Sequence, residues 1–308
     1  MRGKKSYLMC MWLALLLAVS FNASAAHAQR RAAAKPSARA VTVKTEPNAV
    51  VWVDDVRRGV ADAEGSLQLT LAPGAHRLRV RAQGFSERTL PLTPAQRGVI
   101  PVKLLPTTDE ATLLFQRAEA ARERAGGNAE AVELYRKALE LRPRFPEAHV
   151  GLARALASAD DFDGALEQVA AARRDRPVYP EASAVEGRIL RSSSDYAGAL
   201  TAYARALREA RGFQPEAHTG AGLVYEETGR HEEAVAAFRK ALAQLSDTEP
   251  VLYELLGRNL EKLERWKEAV VAYEKYLALA PTGPHASAIN SIIDQLRRQA
   301  AEQESPPQ

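Results

Sequence analysis

The sequence predicts an α+β chain in two domains. A small antiparallel β module, β-sandwich-like, precedes an all-α solenoid of five repeats with a C-terminal capping helix. Three observations predict it. Ala131, Ala165, Ala199, Ala234 and Ala269 recur at spacings of 34, 34, 35 and 35 residues, the period of a stacked two-helix unit that cannot bury its apolar face alone. A bulky apolar residue follows each alanine by four positions (Tyr135, Val169, Tyr203, Phe238, Tyr273), and a second alanine follows the first four by seven (Ala138, Ala172, Ala206, Ala241), with Tyr276 there in the fifth. Upstream of this register, residues 41–105 change to the period-two alternation of strands.

Residues 1–28 read as a secretory signal. Arg2, Lys4 and Lys5 precede an apolar run from Leu8 to Phe21, and Ala26-His27-Ala28 fits the small-residue cleavage pattern, with Ala23-Ser24-Ala25 as a competing site. The run spans about 14 residues, short of the ~20 needed to cross a bilayer. Cys10, the only cysteine, lies before the end of the apolar run, so a lipoprotein start is not expected. After cleavage no thiol remains for disulfides, metal sites or nucleophilic chemistry. The expectation is a periplasmic or secreted protein with no transmembrane segment. Residues 29–40 (QRRAAAKPSARA) form a basic linker without apolar periodicity.

The β module is expected over residues 41–106. Val41 and Val43, the run Ala49–Val53, Leu67/Leu69/Leu71, Leu78/Val80, Leu90/Leu92 and Val99–Leu104 supply its strands. Pro73-Gly74 suits a type II turn and Gln83-Gly84 marks another. Arg77, Arg79 and Arg81 alternate with Leu78 and Val80, so the three arginines share one face, expected to be wet.

From Asp109 onward the pattern is helical. Each repeat divides into a first helix (Leu113–Arg124, Glu147–Ser158, Glu181–Ser192, Glu216–Thr228, Val251–Lys262) and a second that carries the alanine register. The repeats are expected over residues 110–282. Pro146, Pro180, Pro215 and Pro250 open first helices, where a missing N–H is least missed. Glu147, Glu181 and Glu216 follow, favourable to the helix dipole. Ile289, Ile292, Ile293 and Leu296 mark one capping helix within residues 283–300, and residues 301–308 are expected to be a disordered tail.

Charge narrows the function classes. The whole chain is +4, and without the leader it is +1, which lacks the overall basic field of a phosphate binder; no nucleic-acid partner is expected. The charge is divided, however. Residues 29–106 hold 13 Lys/Arg against 6 Asp/Glu, and residues 107–308 hold 26 against 32. No catalytic set, cofactor loop or metal-ligand spacing emerges. His149 and His218 recur in matching segments two repeats apart, which suits packing between helices better than converging ligands. Gly220-Ala221-Gly222 suits helix packing and Gly126-Gly127 a turn.

Two resemblances follow from these residues. Glu46-Pro47-Asn48-Ala49, Val51-Trp52-Val53-Asp54, Pro73-Gly74-Ala75-His76 and Gly84-Phe85 resemble the PEGA domain, a small β module of exported and surface-associated bacterial proteins. Asn48 and Asp55 stand where that family has glycine, and an unrelated β-sandwich fragment is the alternative. The helical part resembles the tetratricopeptide repeat: Gly187, Gly222 and Gly257 occupy the small position of the first helix, and Ala131 and its successors that of the second. Glu119 and Ala153 depart from the glycine in the first two repeats.

The tetratricopeptide resemblance implies that first helices line a concave surface that binds peptides. In register, Arg154, Arg188 and Arg258 form one inward row, with Arg191 a turn beyond Arg188 and with Glu226, Glu254 and Glu261 nearby. Arginines bind carboxylates bidentately, so a protein or peptide partner with acidic groups is expected, unless the glutamates balance the row in a solvated groove. The lysine and asparagine set of chaperone-binding relatives is absent. The expected function is an exported, non-catalytic scaffold whose β module contacts the cell envelope. Alternatives are a polysaccharide-binding protein that uses Arg77, Arg79 and Arg81 on an anionic polymer, or the regulatory subunit of an envelope enzyme.

Overall fold

A computed structural model describes residues 39–71, 73–245 and 248–304 of the chain. The expected signal and nearly all of the expected linker lie outside the described residues.

Nine strands build the N-terminal module: β1 (Arg39–Lys44), β2 (Val50–Val53), β3 (Val56–Val60), β4 (Ser66–Leu71), β5 (His76–Arg81), β6 (Phe85–Ser86), β7 (Arg88–Leu92), β8 (Gly98–Pro101) and β9 (Leu105–Pro106). One sheet has the order β4-β1-β8 and a second β3-β2-β5-β7, while β6 and β9 form a two-stranded ribbon. Val41, Val43, Leu69, Leu71 and Ile100 of the first sheet pack against Val51, Val53, Leu78, Val80 and Leu92 of the second in one core. A sandwich results because alternate residues of both sheets turn inward.

Three features depart from the sequence expectation. β1 starts at Arg39, inside the expected linker, and Arg39 is buried there, with its guanidinium donating to the Thr93 carbonyl at 3.2 Å. The module is not wholly antiparallel: β8 returns after the second sheet is complete and lies parallel to β1, as a crossover connection permits and a hairpin does not. β3 was not anticipated, because Arg57-Arg58 interrupts its alternation. Its hairpin with β2 turns at Asp54-Asp55, both with positive φ (53° and 64°), the geometry of a two-residue primed turn. Asp54 holds the turn by accepting from the Arg77 amide at 2.8 Å and bonding the His76 ring at 2.6 Å.

Eleven helices follow among the described residues: α1 (Glu110–Glu123), α2 (Asn128–Leu141), α3 (Pro146–Ala157), α4 (Phe162–Asp175), α5 (Pro180–Ser192), α6 (Tyr196–Glu209), α7 (Pro215–Glu227), α8 (His231–Gln244), α9 (Pro250–Lys262), α10 (Trp266–Leu279) and α11 (Ala286–Glu304). The four expected prolines open α3, α5, α7 and α9. Each pair turns on one residue with positive φ, at Gly126, Asp160, Ser194, Gly229 and Glu264, so the turn repeats in the same register as the alanines. At two of the three turns without glycine, the following Asp161 and Asp195 cap the next helix through Gly164 and Gly198 amides, both at 2.9 Å; after Glu264 the N-cap is Arg265, without a side-chain cap.

The five register alanines are wholly buried. A Cβ at Gly187 would lie 2.7 Å from the Tyr203 ring, and one at Gly222 or Gly257 2.6 Å from Phe238 or Tyr273; only a bare Cα fits at this crossing. The departures are complementary. Ala153 stands in the repeat whose second helix carries the small Val169, and Glu119 accepts a hydrogen bond from the Tyr135 hydroxyl instead of leaving room for its ring. Tyr276, at a register alanine position, is buried and its hydroxyl accepts from the His285 amide at 3.2 Å, which ties α10 to the cap. α11 buries Ala286, Ile289, Ile293, Leu296 and Ala300. It runs four residues past the expected end of the cap. Residues 301–304 are helical, not a disordered tail, since Ala, Glu and Gln are good helix formers and Gln303 donates to the Glu264 carbonyl at 3.3 Å.

Candidate functional site

The first helices contact one another along the array, α1 with α3, α3 with α5 and α5 with α7, so they form its inner layer. The outer face of the second sheet is turned toward this layer. There Trp52 of β2 stands directly across from Arg79 of β5, and its ring lies 4.6 Å from the Arg79 guanidinium and 5.0 Å from that of Arg81. Stacking holds the two arginines upright.

Both then reach the helices. Arg81 approaches Glu119 at 3.5 Å and covers the Phe115 ring at 4.6 Å. Arg79 approaches Glu181 at 4.0 Å, and Arg57 pairs with Glu123 at 3.1 Å. Gln116 of α1 seals the edge: its amide oxygen accepts from the Gly84 amide at 2.8 Å and its nitrogen donates to the Phe85 carbonyl at 2.7 Å. Three arginines of the basic module thus meet carboxylates of the acidic repeats.

The wet arginine face expected from the sequence is corrected by this arrangement. Arg79 is 9% exposed, Arg81 is shared between Glu87 at 2.8 Å and Glu119, and only Arg77 remains exposed, where it pairs with Asp55. Period-two alternation assigns a face but cannot say what covers it.

Between sheet and helices lies a cleft of about 690 Å³. Trp52, Arg79 and Arg81 form one wall; Arg154, Arg188, Arg191, Glu181, Glu216 and Leu223 belong to the other. Of the arginines singled out in the sequence, Arg154, Arg188 and Arg191 line it. Arg258, Glu226, Glu254 and Glu261 are not part of its lining. They form a separate group, with Arg258 3.0 Å from Glu226 and 3.9 Å from Glu254, and Glu261 accepting from the Tyr273 hydroxyl.

Compensation within the cleft is uneven. Arg154 pairs with Glu181 at 2.8 Å and Glu216 at 3.7 Å. Burial alone would raise the Glu181 carboxyl, but Arg154 and Arg79 outweigh it and hold the group down to about 2. Burial alone would lower Arg154, but Glu181 and Glu216 overcome it and raise the guanidinium further. Arg191 pairs with Glu227 at 2.5 Å. Arg188 differs: its nearest carboxylate is Glu216 at 3.8 Å, and burial, helped by Arg154 and Arg122, pulls it below the usual arginine range. Burial raises the Tyr203 hydroxyl to about 12 against the pull of Arg191.

His149 bonds Gln168 at 2.8 Å and the Pro143 carbonyl at 3.0 Å, linking two helices of its own repeat. No group of three or more metal-binding side chains occurs among the described residues, and no helix among them is long and apolar enough to cross a membrane. Sequence reasoning missed Trp52, Glu119, Glu181 and Gln116 as contact residues. The opposite net charges of the two parts were the signal that could have paired them.

A stacked two-helix array with a lined inner face is a helical-repeat architecture. Tetratricopeptide repeat families match residues 124–189 and 184–250, so that part of the array carries tetratricopeptide repeats. Among solved structures, PilW, a type IV pilus biogenesis factor, is similar over 63% of this chain and 89% of its own, at 17% identity and TM-score 0.55. Pseudomonas aeruginosa PilF is similar over 63% of this chain and 88% of its own, at 18% identity and TM-score 0.54. A thermophilic tetratricopeptide repeat protein of Thermus thermophilus is similar over 61% of this chain and 99% of its own, at 22% identity and TM-score 0.50. At these identities the likeness is one of fold. No curated protein matches the sequence.

Proposed function

We propose that the protein is an exported, non-catalytic scaffold that holds a segment of a protein partner against the inner face of its repeats. The observation that carries this reading is the 690 Å³ cleft, within the range of about 300–1,000 Å³ typical of ligand sites. It is lined chiefly by successive first helices, so an extended segment placed there touches several repeats at once. Export is supported by the charged start, short apolar run and small-residue cleavage pattern of residues 1–28.

The β module, PEGA-like in its motifs, serves in this reading as a wall of the groove rather than as the part that meets the envelope. Its arginine face is the one turned inward. The polysaccharide reading thereby loses the stripe of Arg77, Arg79 and Arg81 on which it stood.

A photo-crosslinking amino acid placed at Thr219, in the cleft lining, tests the scaffold reading against the same group at exposed Lys137 of α2. Adducts with one protein partner at Thr219 and none at Lys137 are expected. Equal labelling at both positions, or labelling at Lys137 alone, contradicts it.

A further inference from the structure

Three arginines of the cleft donate no hydrogen bond among the described residues: Arg79 on the sheet wall, and Arg122 and Arg188 on the helix wall. Arg79 is 9% exposed, yet Asp55 and Glu181 stand 3.9 and 4.0 Å away, and its Nε is buried without a hydrogen-bond partner among the described residues. Arg188 has Glu216 at 3.8 Å and donates no hydrogen bond among the described residues. The Glu181 carboxylate accepts from Arg154 through Oε1 at 2.8 Å, and its Oε2 stands 4.0 Å from Arg79, beyond hydrogen-bond reach. Buried polar groups are nearly always satisfied, and leaving a charged donor without an acceptor is costlier than leaving a neutral one. Arg79, buried on the sheet wall, and Arg188, half-exposed on the helix wall, leave donors open toward the same cleft, so one anionic ligand from outside the chain can engage both.

The rest of the lining selects among anions. Glu119, Glu123, Glu181 and Glu216 share the cleft with the arginines, so a dense polyanion such as polyphosphate meets repulsion along most of its length. Trp52, Leu223 and Leu252 add apolar surface. A polypeptide satisfies all three needs: spaced carboxylates for the arginines, backbone N–H groups for the glutamates, and apolar side chains between them.

Resting on the scaffold reading above, we propose that the sheet and the repeats together form a two-walled site for an acidic, partly apolar peptide segment, with Arg79 and Arg188 each binding one of its carboxylates. The β module is then part of the recognition site. Truncating the chain to its repeats would leave half of it.

The test uses the whole chain from residue 29 onward and a fluorescein-labelled six-residue peptide of alternating leucine and glutamate, read by anisotropy. The leucine–glutamine counterpart and inorganic phosphate serve as competitors. Arg188→Gln carries the test because that side chain is 43% exposed and its one ion pair, with Glu216 at 3.8 Å, is to a carboxylate that Arg154 also approaches. It is expected to weaken binding at least about 10-fold, as is Arg79→Gln. Arg188→Lys should recover only part of the loss, since lysine lacks the bidentate fork. Arg298→Gln, exposed on α11, should leave affinity unchanged. Equal affinity of the native and Arg188→Gln chains overturns the proposal, as does equal competition by the glutamine peptide. Displacement by phosphate at concentrations where the glutamate peptide fails overturns the peptide assignment in favour of a free anion. The two readings fail separately. Partner adducts at Thr219 without glutamate-peptide binding sink the carboxylate site alone, whereas glutamate-peptide binding without specific adducts sinks the scaffold reading alone.

Discussion

The two ends of the repeat array are built alike and finished differently. At the N-terminal end, a β sheet lies over α1 and α5, and the contact is charged: Arg57, Arg79 and Arg81 against Glu123, Glu181 and Glu119. At the C-terminal end, α11 closes the array with Ile289, Ile293 and Leu296 packed into one apolar cluster with Leu256, Leu260 and Tyr273. An apolar cap contributes through area removed from water and is insensitive to salt and pH. A charged contact depends on both, and each exposed pair in it contributes only about 0–1 kcal/mol. One end is closed for stability. The other is joined by groups that a charged ligand can also engage.

The largest effect expected from this contrast lies in the C-terminal core. Phe238 is wholly buried with its ring against Gly222, and Phe238→Ala should cost about 3–5 kcal/mol. Because repeats are coupled mainly to neighbours, hydrogen exchange should accelerate first in α7–α10, with the sheet contact at Gln116 still protected. Uniform acceleration from β5 to α10 would mean that the two ends are one cooperative unit.

Charge reversal at the sheet should act the other way. Arg81→Glu places a carboxylate beside Glu119 and should detach the sheet while thermal melting of the helices changes little. Combining it with Glu119→Arg should restore contact, with a coupling energy of about 1–3 kcal/mol in the double-mutant cycle. A coupling near zero would remove this pair from the account.

pH offers a smaller and more specific handle. The Glu181 carboxyl is held at about 2 against an ordinary 4.5, so its stabilisation is complete above about pH 4.5 and is lost as pH falls toward 2. Glu181→Gln should therefore destabilise the chain by about 1–3 kcal/mol at neutral pH. The gap between variant and native chains should close on acidification through that window. A gap that persists at pH 2 would show that the loss is one of shape and not of charge.

The smallest effect concerns the turns. Glu264 holds positive φ (57°) where the first and fourth repeats have glycine, and Glu264→Gly should stabilise the last repeat by about 0.5–1 kcal/mol, seen as a rise in denaturation midpoint.

Much of the helical part was legible because its determinants are local and periodic. Small residues at fixed intervals, prolines at helix starts and one turn position per repeat each leave a mark in the sequence. Even the atypical Glu119 and Tyr276 have readable partners once the register is known. The strands were legible as alternation, but β3 was not, since its two adjacent arginines hide its period. The parallel pairing of β1 with β8 depends on topology that alternation does not encode. The site was half legible. Helical register carries across repeats and put Arg154, Arg188 and Arg191 on the inner face, but it does not set where the cleft ends, and Arg258 of the same row does not line it. The stripe of Arg77, Arg79 and Arg81 was seen as a stripe but assigned to solvent, because a contact between residues so far apart along the chain leaves no local pattern. Only the opposite charges of the two parts hinted at it.

The central claim is that the arginine face of the sheet lies on the acidic inner layer of the repeats. Arg57 and Glu123, 3.1 Å apart, test it most directly. In the Arg57→Lys chain, a zero-length carbodiimide should join the new amine to the Glu123 carboxyl within single molecules. Mass spectrometry should find that crosslink at low salt and see it decline as salt is raised. Its absence from monomeric protein, with amines elsewhere on the module coupling normally, would contradict the claim.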